Sequence, residues 1–409
     1  MEIKQKLISQ IEHLMIKNRR QHGKYSYTVP SPVSYPFQWF WDSCFHAIIL
    51  SYFDINAAKS ELYSLSSKQF KNGMIPHMIY WENPKKFHIP GVASPVIPWG
   101  TNKTSSIVQP PMLAYATWVV YEKSRDIEFL KRMLPVIADL HKYLLKLRDP
   151  NKHHLAGLVH PDESGEDNSP RFDDVLQLKA KQTIDANYHR RLILVDRYKI
   201  QQFKIKKHME NFHWVRDVPF NAILVNALVY ESLIAGELQL LKQSSLARQH
   251  SDEIAAAMRE YMLDGVLMMS TMGHNYHHIK VKTWSIFIPL FANILTPEEA
   301  NELIEKHLKN KKEFKSRFLL PTVAMDEPSF DPNGFWRGPV WMSTNWFIFK
   351  GLLNYGYRKE ANEILNDSIN LLSQHGLREH FNPLSGEPLG AIDFTWGGLV
   401  IDMINSISI

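Results

Sequence analysis

His160-Pro-Asp-Glu-Ser-Gly-Glu-Asp-Asn-Ser-Pro-Arg-Phe-Asp-Asp174 (HPDESGEDNSPRFDD) puts six carboxylates into fifteen residues that carry turn signals and no apolar periodicity. A solvated acidic loop is one reading, since loops are polar for solubility alone. The other is a loop that does carboxyl chemistry. That reading makes a demand on the fold, because a partner carboxylate has to be delivered from elsewhere in the chain.

Outward from this stretch, apolar residues recur at helical spacing. The candidates lie near 2–20, 43–53, 56–70, 111–124, 127–147, 219–240, 245–263, 283–293, 297–309, 343–356, 358–375 and 394–407. Thr296-Pro297-Glu298-Glu299 supplies an N-cap, a Pro at the first helical position and a Glu for a capping box, and Gly376 follows the 358–375 pattern as a C-cap. Strand signals are few and short, such as Gly265–Ser270 (GVLMMS). The chain therefore reads as all-α. Its helices come in pairs joined by short turns, with long loops at 71–110, 148–218, 310–342 and 376–393, and loops of that length inside a compact domain are usually functional. About twelve helices in antiparallel pairs fit a closed (α/α)6 barrel of six inner and six outer helices. A helical solenoid has the same count but shows a fixed repeat period, and none is present. With no Pro/Ser/Gly-rich linker, residues 1–409 read as one catalytic barrel domain, with loop or lid insertions near 71–110, 148–218 and 310–342.

Composition narrows the class. The 44% hydrophobic and 22% charged content is that of a globular protein. A net charge of +5 is thinly spread, and its densest run, 190–207 (RRLILVDRYKIQQFKIKK), has no nucleic-acid-binding motif around it. No nucleic-acid partner is expected. The single cysteine, Cys44, excludes an internal disulfide and fits a reducing compartment. The N-terminal stretch reads as a helix stripe rather than a signal peptide, and no run approaches a membrane span. A cytoplasmic location without membrane association is the expectation; the oligomeric state is not legible.

Four loop segments mix carboxylates or Arg with Trp next to Gly or Pro: Gln38–Asp42 (QWFWD), the acidic stretch, Gly334–Trp341 (GFWRGPVW) and Arg378–Glu387 (REHFNPLSGE). Sugars have apolar faces that stack on indole rings and hydroxyl rims that bond to Asp, Glu, Arg and Gln, so the mixture points to a carbohydrate site. Glycosidic hydrolysis needs one protonated carboxyl for the leaving oxygen and a second carboxylate as base or nucleophile. Asp167 and Glu379 lie 212 residues apart. Only a closed fold that gathers distant loops at one mouth can pair them, and the (α/α)6 barrel does so.

SGEDNSPRFD, QWFWDSCFHA, GFWRGPVWMSTNW and REHFNPLSGEPLGAIDFTWGG, with VQPPMLA and DVPFNAI, together resemble glycoside hydrolase family 63 and its close relatives, from about residue 35 to the C-terminus. These are inverting (α/α)6-barrel α-glycosidases that include mannosylglycerate and glucosylglycerate hydrolases. The resemblance implies Asp167 as general acid and Glu379 as the base that activates water. It implies Asp42 as a ligand of the released sugar's hydroxyls, with Trp39, Trp41 and Trp396 as walls of that pocket. Trp341 belongs to the same aromatic set, and Gln109 and Arg337 are further polar contacts or scaffolding. His77, in Gly73–His77 (GMIPH), is either a structural helix-end residue or a ligand contact.

The residues themselves add conditions. Arg171 paired with Asp167 would depress an acid that must stay protonated, so Arg171 is expected on Glu163, Glu166 or another carboxylate. Glu387 is the rival of Glu379 on the same loop. Many relatives carry Trp before the ESG triplet, where this chain has Asp162, which bears on the leaving-group pocket. Arg190, Arg191 and Arg216 are candidates to hold an anionic aglycone, Arg216 first because WVRD (214–217) opens into a helix. The expected substrate is a small α-glucoside or α-mannoside, including glucosylglycerate and mannosylglycerate; glucose and mannose are not distinguished. Short neutral gluco-oligosaccharides or trehalose-type disaccharides are the alternative, and a sugar epimerase or a non-catalytic sugar binder is more remote. HNYHH (274–278) lacks metal-ligand partners at recognised spacing, and no phosphate loop is present, so neither metal nor cofactor is expected.

Overall fold

The computed structural model describes residues 2–82, 103–210 and 214–407; the stretch 83–102 of the expected 71–110 loop lies outside the described residues. Fifteen α-helices follow one another among those described. They are α1 (Glu2–Asn18), α2 (Phe40–Leu50), α3 (Ile55–Ser66), α4 (Leu113–Ser124), α5 (Ile127–Leu147), α6 (Asp173–Leu176), α7 (Ile184–Ile200) and α8 (Ile205–Met209). The chain continues with α9 (Val218–Glu237), α10 (Leu241–Met262), α11 (Ile288–Phe291), α12 (Pro297–Leu303), α13 (Met342–Asn354), α14 (Arg358–His375) and α15 (Val400–Ile407).

Contacts between helices close a ring. α2 packs on α4, α4 on α9, α9 on α11, α11 on α13 and α13 on α15, and α15 with the 3-10 turn Thr395–Leu399 before it packs back on α2. Outside this ring α3 covers α2, α5 covers α4, α10 covers α9 and α14 covers α13, while α1 lies on α14 and on the Thr395–Leu399 turn. This is the (α/α)6 barrel. The two ends of the chain make the closing seam. The Lys17 ammonium meets Asp393 at 2.7 Å, Asn18 Nδ2 donates to the Asp393 carbonyl at 2.9 Å, and the Thr395 amide donates to the Pro30 carbonyl at 3.0 Å.

Inner and outer helices differ as their surroundings require. α9 (VPFNAILVNALVYESLIAGE) is apolar around most of its circumference and is long and apolar enough, by composition alone, to cross a membrane. Here it is an inner stave with α4 and α11 beside it and α5 and α10 behind it. Continuous burial, rather than lipid, accounts for its sequence. Outer α5 instead buries one stripe, including Phe129, Leu130, Met133, Leu134, Ile137, Leu140 and Leu144, and starts at Asp126, whose side chain accepts the amides of Glu128 and Phe129. The Thr296 capping box with Pro297 and the Gly376 cap are both present.

Two expectations change. The 148–218 segment is not a loop throughout, since α7 runs through it for 17 residues, started by the Thr183 side chain on the Ala186 amide. Its buried stripe is Asn187, Arg191, Leu194, Val195 and Tyr198, so Asn187 and Arg191 take two of the five places that an apolar pattern would have marked. The helices expected at 283–293 and 394–407 open as 3-10 turns, Trp284–Phe287 and Thr395–Leu399, a distinction that apolar spacing does not carry.

Candidate active site

The acidic stretch is divided among different tasks. Glu163 is fully buried on the Arg148 guanidinium and also accepts the amides of Val159 (2.8 Å) and Val108 (3.2 Å). Glu166 takes both ends of Arg171 at 3.0 Å and the Trp284 indole at 2.9 Å, and Arg171 Nε continues to Asp217 at 2.8 Å. Asp173 receives the Arg337 fork at 2.9 and 2.7 Å, while Asp174 is exposed. Three of the six carboxylates therefore anchor the loop. Arg171 sits on Glu166 and Asp217, as expected, and is not the partner of Asp167. Arg337 also donates to the carbonyls of Asn168 (3.1 Å) and Ala180 (2.6 Å), and the Trp336 amide donates to Asn168 Oδ1 at 2.7 Å. With its guanidinium engaged on Asp173 and these carbonyls, Arg337 is a strut between two loops rather than a hand for the substrate.

The other two carboxylates, Asp162 and Asp167, share Arg191. Its Nη1 lies 2.5 Å from Asp162 Oδ1 and 2.9 Å from Asp167 Oδ2. The Asp167 side chain is 27% exposed, so it is reachable by a ligand. Burial pushes its carboxyl upward, Arg191 acts against that, and the Asp162 charge adds to it.

Glu379 arrives on a hairpin, Arg378–Phe381 paired with Pro388–Ile392, whose register shifts between Arg378 and His380. Only 4% of Glu379 is exposed. The Tyr35 hydroxyl donates to Oε1 and the Ala391 amide donates to Oε2 at 2.7 Å. Gly390, at φ +66°, allows this closeness, since a Cβ there would collide with Oε2. Burial first, with the charges of Asp167 and Asp42 adding to it and the two hydrogen bonds opposing, pushes Glu379 up to about 7. The acid loop, the hairpin and α2 thus converge on one electrostatic centre. His380, next in the chain, is lowered to about 3 by burial and stays neutral against Trp341. Glu387 is exposed at the hairpin turn, its amide on Ser385 Oγ, and does not join the centre.

Asp42, Trp39, Trp41 and Trp396 lie beside this centre. Burial pushes Asp42 up to about 6, and the Trp396 indole donates to it at 2.7 Å. Trp41 meets Trp396 edge-on at 5.1 Å; Gly165, at φ +76°, lies so flat on Trp41 that a Cβ would run into the ring. Gln109 accepts the Trp41 amide at 3.2 Å. Trp341 is buried, stacked on Trp336 at 3.8 Å and on His380 at 4.9 Å. Trp39 is half-buried, edge-on to Tyr35 at 5.6 Å. His77 is buried beside Asp162 and His160, and burial lowers it to about 4.

Arg216 is not brought to this centre. It is fully buried with Nη1 on the Gly273 carbonyl at 2.5 Å and its guanidinium over the Tyr276 ring at 3.9 Å. Of the three candidate arginines, Arg191 is the one whose guanidinium is paired with Asp167. Tyr35 and Asp162 were not singled out as site residues; for Tyr35 the only signal was its place three residues before QWFWD, and for Asp162 its place where relatives carry Trp.

Comparison with known proteins identifies the family and the fold. Residues 35–397 match the model of the mannosylglycerate hydrolase MGH1-like glycoside hydrolase domain. A mannosylglycerate hydrolase of Thermus thermophilus is 29% identical, with 92% of this chain and 96% of the relative aligned. A glucosylglycerate hydrolase of Mycolicibacterium hassiacum is 26% identical over 90% of this chain and 92% of its own length. The crystal structure of a family 63 mannosylglycerate hydrolase from Thermus thermophilus with Tris and D-glycerate superposes with a TM-score of 0.86 at 28% identity, covering 98% of this chain and all of that one. The neutral trehalase of Saccharomyces cerevisiae, 16% identical with a TM-score of 0.66 over 97% of this chain and 79% of its own, shares the fold. The chain is a glycoside hydrolase and belongs to the mannosylglycerate hydrolase MGH1-like family.

Proposed function

We propose that the enzyme hydrolyses the α-glycosidic bond of a glucosyl or mannosyl glycerate with inversion, Asp167 acting as acid and Glu379 as base. The observation that carries this reading is the contrast between the two carboxyls. Glu379 is enclosed, with a hydroxyl and an amide donating to its two oxygens, which suits a carboxylate that must accept a proton from water. Asp167 is partly open, raised by burial, and has Arg191 rather than Arg171 beside it.

In the reaction Asp167 protonates the glycosidic oxygen as the bond to the anomeric carbon breaks. Glu379 removes a proton from a water that attacks the opposite face of the oxocarbenium-like sugar. Asp42, held by Trp396, binds hydroxyls of the released sugar, with Trp39 and Trp41 along its apolar faces. Arg191 takes the place first given to Arg216 as the anchor for the glycerate carboxylate, because it is the cation adjoining the acid.

The test is kcat/KM for glucosylglycerate, mannosylglycerate and their uncharged glycerol counterparts in the parent and in Arg191→Ala. A charge-assisted contact is worth roughly 1.5–3 kcal/mol, so the parent should prefer the glycerates about ten- to a hundredfold. Arg191→Ala should lose that preference. Equal rates on glycerate and glycerol glycosides in the parent would favour a neutral α-glucoside, the reading supported by Asp162 already lying on Arg191.

A further inference from the structure

One guanidinium nitrogen serves two carboxylates at the mouth of the site. Arg191 Nη1 is 2.5 Å from Asp162 and 2.9 Å from Asp167, and its Nε is fixed from within α7 by Asn187 Oδ1 at 3.0 Å. His160 braces both sides of the nearer pair. Its Nδ1 lies 3.2 Å from the Asp162 amide and 3.4 Å from Asp162 Oδ1, and its Nε2 is 3.1 Å from the Arg191 carbonyl. Asp162 is the more enclosed carboxylate, its side chain 12% exposed against 27% for Asp167.

A lone arginine beside a general acid works against catalysis, because it favours the carboxylate that has already lost its proton. Here the cation has a second, closer claimant. We propose that Asp162 is a positioning residue for the acid: by holding Arg191 it leaves Asp167 to carry the proton that goes to the leaving oxygen. The inference rests on Asp167 as the acid. The same Arg191 stays at the site for an anionic aglycone, its charge balanced when the site is empty.

The groups that face this corner come from several elements. Asp167 is acted on by Asp162 and His160 of its own loop and by Arg191 of α7, and its own charge acts on Glu379 of the hairpin and on Tyr35 before α2. Asp162 is faced by His160, Arg191 and His77, and its charge reaches Tyr80. Against the burial that opposes its charge, His160 and Arg191 hold the Asp162 carboxyl well below the usual range. Asp167 is displaced in the opposite direction, by burial first. Two neighbouring carboxyls thus part company around one cation, the arrangement that separates acid from counter-charge.

The experiment compares a substrate that needs the acid with one that does not. The pH dependence of kcat/KM reports groups of the free enzyme. Its ratio for mannosylglycerate over α-mannosyl fluoride, and for glucosylglycerate over α-glucosyl fluoride, cancels Glu379 and leaves the protonation of Asp167. In the parent the ratio should fall above one midpoint. In Asp162→Asn, with Arg191 left to Asp167 alone, that midpoint should drop by about one pH unit or more, and Asp162→Glu should restore most of it. Loss of folded protein lowers both rates and moves no midpoint. A titrating parent whose midpoint Asp162→Asn leaves in place overturns the proposal alone. A parent ratio that is flat with pH removes Asp167 as the acid, and this proposal with it.

Discussion

Tyr35 donates its hydroxyl to Oε1 of Glu379 across 344 residues of sequence, and this contact works against burial in setting how readily Glu379, the proposed base, loses its proton. A hydrogen bond to the carboxylate favours the charged form. Tyr35→Phe should therefore push Glu379 above its value of about 7. A bond to a charged group is worth roughly 1.5–3 kcal/mol and a pKa unit about 1.4, so the shift is about one to two units. Because the base works ionised, the acid limb of the rate on α-glycosyl fluorides should move upward by that amount. A limb that stays in place would remove Tyr35 from this role.

The two carboxyls should respond differently to leaving groups. Asp167→Asn should lose about 10²- to 10⁴-fold on glycerate glycosides and far less on glycosyl fluorides, which need little protonation. Glu379→Gln should lose on both. Equal losses in Asp167→Asn would reassign the acid.

Inversion is read directly from the first-formed product. NMR during the opening minutes of hydrolysis should show the β-anomer of the free hexose, before mutarotation. The α-anomer would instead require a covalent glycosyl-enzyme intermediate.

Arg171 offers a test of stability. It is buried between Glu166 and Asp217, and Arg171→Met would leave both carboxylates without their cation. Breaking a buried pair from one side costs about 3–5 kcal/mol. The urea midpoint should fall accordingly, and Glu166→Gln with Asp217→Asn in the same chain should recover part of it.

The sequence was most legible where one physical signal acted alone. α5 and α14 begin and end where apolar spacing and capping residues put them. α7 escaped because its buried face includes Asn187 and Arg191, whose burial depends on partners, Asp162 among them, that no local pattern shows. Arg216 was misplaced for a geometric reason. In extended backbone successive side chains point to opposite faces, and Asp217 turns to Arg171 while Arg216 turns to Tyr276. Motif resemblance pointed to Asp167 and Glu379 but not to Tyr35, since a lone Tyr before an aromatic run has no distinguishing neighbour. The resemblance preferred Glu379 to Glu387, and the turn adds a physical difference, leaving Glu387 exposed and Glu379 enclosed.

The seam between Lys17, Asn18, Pro30, Asp393 and Thr395 has a temporal meaning. Glu379, Ala391 and Trp396 all belong to the final arc that completes the circle, whereas Tyr35, Asp42 and Asp167 belong to arcs synthesised long before. Contacts this remote in sequence carry the largest loop-closure entropy and are slow to form. If the proposed roles hold, a nascent chain can thus carry Asp167 and Asp42 while still lacking Glu379, the group proposed to activate water. The circle and the reaction are completed together, so onset of hydrolysis during refolding should coincide with the last cooperative step and not with the appearance of helix.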